Sequence, residues 1–214
     1  GIVQLNIFIS MLFASLVGGG AISQIYYADR IIDLPFALIA VAMSFTLLPY
    51  LSKNISDESK NSKAFNETVI FCLLFAIPSA FGIFILSEDI IRALFGRGEF
   101  NNEDVLITSQ ILLVYSFSLP GYMLARIFNQ VFYSYEKVEY PVKAAVPTFI
   151  CNFILCFLLY RPLGVLGLAI SGAVSIWLNL FIQIFYLRKN FRSFYEKLSI
   201  FDFKKLLKIL FSAI

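Results

Sequence analysis

Histidine is absent from the sequence, and its three cysteines, Cys72, Cys151 and Cys156, stand inside apolar stretches with no C-x-x-C pair among them. The first absence removes the commonest zinc ligand and the usual general base, and the second leaves no thiol framework for a metal site or a disulfide scaffold. The cysteines read as small packing residues. Charge is scarce as well, at 14% of 214 residues against roughly 25% in an ordinary soluble domain. That is too little to cover the surface of one soluble core. No G-x-S-x-G element and no G-K-[ST] loop occurs, which removes the familiar signatures of acyl transfer and of P-loop chemistry. A membrane transferase acting on polyprenyl phosphates would concentrate acidic and basic groups at one membrane face, and only residues 88–104 approach that. Transport is favoured over chemistry.

What fills the chain instead is apolar. Hydrophobic residues make up 59%, and the mean hydropathy is +0.81. They gather in six windows, over 2–22, 31–51, 68–87, 106–132, 143–160 and 163–187, with a further apolar stretch at 206–214. Each window is near the roughly 20 residues that carry a helix across about 30 Å of hydrocarbon. Both residue parities are apolar, so the alternation a transmembrane barrel strand requires is missing. The expectation is an all-α polytopic membrane protein. Gly1 is followed at once by IVQLNIFISMLFASLVGGG without a basic leader, which does not read as a signal peptide. The sequence is expected to be a piece of a longer transporter-like chain.

The connections suggest sidedness. Residues 52–66 carry Lys53, Lys60 and Lys63 against Asp57 and Glu58, residues 133–143 carry Lys137 and Lys143, and the run from Arg188 to Lys208 is basic. By the positive-inside rule these face the cytoplasm, whereas the acidic 88–105 connection faces outward. The net charge of +3 follows from this arrangement and not from a basic, aromatic-interleaved nucleic-acid surface. In LFGRGEFNNED, residues 94–104, a turn precedes an Asn or Asp cap for the next helix. Pro35, Pro78, Pro120 and Pro147 lie in or near apolar windows, where each can bend its helix. Gly164, Gly167 and Gly172 allow close helix approach.

Charges that enter the apolar windows are the candidate site. In QIYYADRIIDLPFALIAVAMSFTLLPYLS, Asp29 and Asp33 share a helix face, and Arg30 stands about a hundred degrees around from Asp29. Such groups belong in a bundle interior, a wet cavity or the membrane edge. Two readings stand: an interfacial Asp29–Arg30 pair that anchors the outer end of the helix, or a guanidinium presented to a phosphate and positioned by carboxylates. Arg126, followed by Asn129 and Gln130, either snorkels to the cytoplasmic edge or adds positive charge to the same cavity. Gln4, Asn6 and Ser10 line a cavity or bond across helices.

Three motifs carry a resemblance. YYADRIIDLPFALIAVAMSFTLLPYLSK at 26–53, LFGRGEFNNED at 94–104 and VFYSYEKVEYPVKAA at 131–145 resemble, in order and separation, the carboxy-terminal lobe of the MurJ/MviN family of lipid II flippases. That family belongs to the superfamily of multidrug, oligosaccharidyl-lipid and polysaccharide exporters. The resemblance implies a fourteen-helix transporter of two six-helix lobes and two further helices. Residues 1–190 would form the second lobe, with its first helix truncated. Residues 191–214 would form a cytoplasmic basic linker and the start of the next helix. It further implies passage of the undecaprenyl-diphosphate-linked peptidoglycan precursor from the cytoplasmic to the periplasmic leaflet of the bacterial inner membrane by alternating access. No cofactor is implied; coupling would be to membrane potential, Na+ or H+. The partners would be that lipid, the amino-terminal lobe and membrane lipids, without nucleic acid. Asp29 and Arg30 match the family's acid–arginine pair, Asp33 a position usually held by Glu, and Arg126 falls near an often basic position. A related exporter, or a helical scaffold that transports nothing, is the alternative.

Overall fold

The computed structural model describes residues 2–196. The side chains of Gln4 and Asn6, the basic run beyond residue 196 and the apolar stretch at 206–214 lie outside the described residues. Among the described residues the architecture is all helical: α1 (Ile2–Val17), α2 (Ala21–Pro35), a π-helical turn (Phe36–Val41), α3 (Ala42–Lys53), α4 (Glu58–Phe95), α5 (Asn102–Ser134), α6 (Glu139–Asn190) and the short α7 (Arg192–Glu196). Four helical stretches are long and apolar enough to cross a membrane, joined by the shorter apolar stretch Phe8–Val17. The chain is an all-α polytopic membrane protein.

The first helix ends at Val17 and not near residue 22, because Gly18, Gly19 and Gly20 all take positive φ (75°, 54° and 77°). Only glycine enters that region readily in succession, and the chain reverses there. The second helix therefore starts at Ala21, ten residues before the apolar window. Its polar first turns are held by Gln24, whose Nε2 donates to Asp104 Oδ1 at 2.9 Å. Through the π turn, α2 and α3 form one rod of 33 residues, roughly 50 Å long. Pro35 supplies no N–H, so the Ile31 carbonyl loses its regular partner and the ladder widens over Phe36–Val41.

The α4 helix also overruns its window, running from an Asp57 cap whose side chain accepts from Lys60 N. The turn at 94–104 delivers the expected cap of α5. Asn101 Oδ1 accepts from Glu103 N at 2.8 Å and Asp104 N at 3.0 Å, and Asp104 Oδ2 accepts in return from Asn101 N at 3.2 Å. Asn101→Ala opens this reciprocal cap and is expected to lower stability by about 1 kcal/mol in thermal unfolding.

The α6 helix runs for 52 residues but breaks at Gly164, where φ is 55° and ψ −132°. The break is a full reversal. Asn179 Nδ2 donates to Thr148 Oγ1 at 3.2 Å, and the rings of Tyr140 and Tyr186 lie 5.3 Å apart. Both pairs are nearly equidistant from Gly164, so two antiparallel arms lie side by side. The windows at 143–160 and 163–187 are these arms, each long enough to cross a bilayer. Their seam is polar and small: Thr148, Asn152 and Cys156 at four-residue spacing on one arm, Ser171, Ser175, Asn179 and Gln183 on the other. In hydrocarbon no hydrophobic effect joins helices, and close approach with interhelical hydrogen bonds does so instead.

The α5 helix forms the middle of the bundle, with Ile111, Leu112, Leu119, Met123, Ile127 and Val131 fully buried. The outward faces of the rod and α4 are as apolar as this core, with Leu38 and Ile85 among the most exposed side chains, as lipid contact requires. After Phe191 the chain forms the short α7, whose Phe194 is fully buried against Phe65 and Tyr135.

Candidate functional site

The α2 helix turns its apolar stripe of Ile25, Ala28, Ile31 and Ile32 into the bundle. Asp29 and Arg30 are thereby left on the opposite, exposed side, with Asp33 half-buried beside them. Because the helix begins at Ala21, Arg30 and Asp33 lie roughly 13 and 18 Å along its axis. On a rod of roughly 50 Å against about 30 Å of hydrocarbon, and directly at the start of the apolar window 31–51, that places them at the mouth of the apolar span. The ion pair joins Arg30 to Asp33, with Nη1 to Oδ2 at 3.7 Å and side chains 56% and 49% exposed. No pair within 4 Å links Arg30 to Asp29. The guanidinium carbon sits 4.5 Å from the ring centroid of Tyr26, one helical turn back. A cation in this position is held in direction by the aromatic face, while a contact as long as 3.7 Å leaves most of its N–H donors available.

Arg126 comes from α5 and reaches the rod below the charged turn. Its Nε donates to Ser44 Oγ at 3.3 Å, and the buried Ser44 donates in turn to the Val41 carbonyl at 2.8 Å. Half-buried and tied to α3, it is not extended to the helix end in the manner of a snorkelling side chain. Tyr122, one turn before Arg126, is the link to the acidic residues. Its ring stacks on Phe36 at 4.0 Å and 11°, and it lies within electrostatic reach of Asp33, Asp29 and Arg126. Asp29, Arg30 and Asp33 therefore share one exposed patch. Arg126 borders it across Tyr122 and makes no ion pair within it.

Ser10 is elsewhere, on α1 near Cys156, whose thiol donates to Asn152 Oδ1 at 3.6 Å. Gln130 Nε2 donates to the Arg126 carbonyl at 3.1 Å, and Asn129 is half-buried beside it. Sequence reasoning passed over Tyr26, Phe36, Ser44 and Tyr122. Tyr26 had a usable signal, an aromatic ring four residues before an arginine on a helix. The others come from separate elements and carry none.

The patch can take an anion, since a guanidinium offers paired N–H donors that match phosphate oxygens. One arginine between two carboxylates is not itself cationic. A multiply charged phosphate there needs further positive charge.

Comparison with known proteins places the fold in a family. The family model described as Lipid II flippase MurJ matches residues 1–214. The probable lipid II flippase MurJ of Bdellovibrio bacteriovorus is 35% identical over 191 residues, covering 88% of this chain and 36% of the relative. That of Aquifex aeolicus is 40% identical over 142 residues, covering 66% of this chain and 28% of the relative. A solved structure of lipid II flippase MurJ in an inward closed conformation superposes with a TM-score of 0.82 at 27% identity, over 99% of this chain and 44% of that one. The chain thus spans less than half the length of these relatives. On the match along its whole length and the identities to these relatives, it belongs to the MurJ family.

Proposed function

We propose that this chain is the carboxy-terminal lobe of a lipid II flippase. In the bacterial inner membrane, the whole protein moves the undecaprenyl-diphosphate-linked peptidoglycan precursor from the cytoplasmic to the periplasmic leaflet. The observation that carries the reading is Arg30, more than half exposed at the mouth of the apolar span. A charge so placed is too costly to face lipid and must meet water, protein or an anionic ligand.

The mechanism is electrostatic capture without covalent chemistry. Arg30 engages the diphosphate together with cationic groups of an amino-terminal lobe. With substrate absent, Asp33 pairs with the guanidinium and Asp29 offsets its charge. Arrival of the diphosphate replaces the 3.7 Å contact with charge-assisted hydrogen bonds, and release restores it. The π turn directly after Asp33 lets the charged turn move relative to α3 as the cavity changes the side it opens to. Membrane potential, or a sodium or proton gradient, supplies the driving force.

The reading is tested in cells depleted of their own flippase and supplied with the protein at its natural full length. Growth restored at normal membrane abundance is the expected result. Lysis at the same abundance would remove lipid II as the substrate and favour a related exporter or a scaffold.

A further inference from the structure

At the basic end of the bundle, away from the charged patch of α2, a groove of about 590 Å³ opens between α3 and α4. Its walls are graded. Leu47 and Phe71 line the part toward the membrane, while Tyr50, Lys60 and Lys63 line the part toward the helix ends. The apolar window of α4 opens at Thr68. Lys63 and Lys60 precede it by roughly 8 and 12 Å along the axis, and long side chains bring their ammonium groups into the headgroup layer that flanks about 30 Å of hydrocarbon.

The donors come from both walls. Lys60 Nζ lies 3.0 Å from Asp57 Oδ2 and within electrostatic reach of the Tyr50 hydroxyl. Lys63 Nζ stands 4.0 Å from Glu67 Oε1, beyond hydrogen-bond length, so its donors are not used up by that pair. Glu67 sits one turn deeper on the same wall, where its carboxylate repels a phosphate. An anionic head group is thereby stopped at the level of the lysines while the apolar part of the groove continues past it.

We propose that this groove binds an anionic phospholipid of the bilayer. Its phosphate lies among Lys60, Lys63 and the Tyr50 hydroxyl, and an acyl chain runs along Leu47 and Phe71. The graded lining is what sets a lipid apart from a soluble anion as occupant, because a free phosphate has no use for the apolar half. The site is independent of the transport reading.

The test is native mass spectrometry of the full-length protein titrated with phosphatidylglycerol, with phosphatidylcholine as the neutral comparison. Wild type is expected to retain phosphatidylglycerol in preference. Lys60→Gln/Lys63→Gln should weaken that binding about tenfold, in keeping with a factor of about five for each lysine beside an anionic membrane, reduced here by the Asp57 and Glu67 pairs. Lys60→Arg/Lys63→Arg should retain it, which separates loss of charge from loss of fold. Lys137→Gln/Lys143→Gln, on the other basic connection, should leave it unchanged. Binding unaffected by the first pair, lost equally in the arginine pair, or lowered equally by the Lys137 and Lys143 changes would overturn the proposal.

Discussion

Arg30→Ala is expected to abolish rescue of flippase-depleted cells while leaving the protein at normal abundance in the membrane. The exposed side of α2 contributes little to the packing of its own bundle, which is made by Ile25, Ala28, Ile31 and Ile32 on the opposite stripe. Removing the guanidinium therefore costs little in folding. It removes a charge-assisted contact of about 1.5–3 kcal/mol, so transport should fall by roughly ten- to a hundredfold at limiting substrate. Arg30→Lys should restore only part of the activity, since an ammonium is a point donor and does not grip a phosphate with two parallel bonds. Asp33→Asn should be milder than either, because it frees the arginine without removing it. The contrary reading, in which Arg30 merely anchors a helix, predicts reduced abundance in all three variants. Normal growth of Arg30→Ala at normal abundance would sink the role given to this residue.

The second large effect is structural. At Gly167 a side-chain carbon would stand 2.8 Å from Leu159 Cβ, with the Leu159 backbone pressed against it as well. These are the two arms of α6 just below their reversal, and neither contact is the yielding tip of a long side chain. Gly167→Val is expected to force the arms apart and to lower stability by about 1–3 kcal/mol or more, read as an earlier thermal transition of the purified protein. Gly172→Ala provides the contrast. It lies on the same arm with nothing within 4 Å of its added carbon, and alanine is the better helix former. It should be neutral or slightly stabilising. An equal loss from both changes would show that helix propensity, and not close approach of the arms, governs the hairpin.

The contrast between these two glycines also shows what the sequence could convey. Both stood out as residues that lighten a helix, and nothing local separates them, because the difference lies in what the other arm places opposite. The all-helical membrane architecture was legible for a simple reason: composition and window length express the thickness of the bilayer directly. Helix ends were less so, since polar turns extend helices past their apolar windows. The start of α2 at Ala21 is the consequential case. It depends on three glycines and on Gln24 reaching Asp104 from a segment eighty residues away, and it puts the charged turn three helical turns into α2 and not at its first residues.

Within the candidate site, the grouping of Asp29, Arg30 and Asp33 followed from spacing. The choice of Asp33 over Asp29 as the ion-pair partner of Arg30 was legible there too, since adjacent residues diverge around a helix while those three apart converge, although the sequence reading paired Arg30 with Asp29. Arg126 was visible as a charge in an apolar window. Its tie to Ser44, and the Tyr122–Phe36 stack that separates it from the acidic pair, arise from helices far apart in sequence and leave no periodic trace.

The central claim is that Arg30 handles the diphosphate of lipid II. Its most direct test is a leaflet-accessibility assay for lipid II in flippase-depleted cells carrying the full-length protein, wild type or Arg30→Ala, at matched membrane abundance. The account predicts lipid II exposed on the outer leaflet with wild type and retained on the inner leaflet with the variant. Equal exposure by both proteins would contradict it.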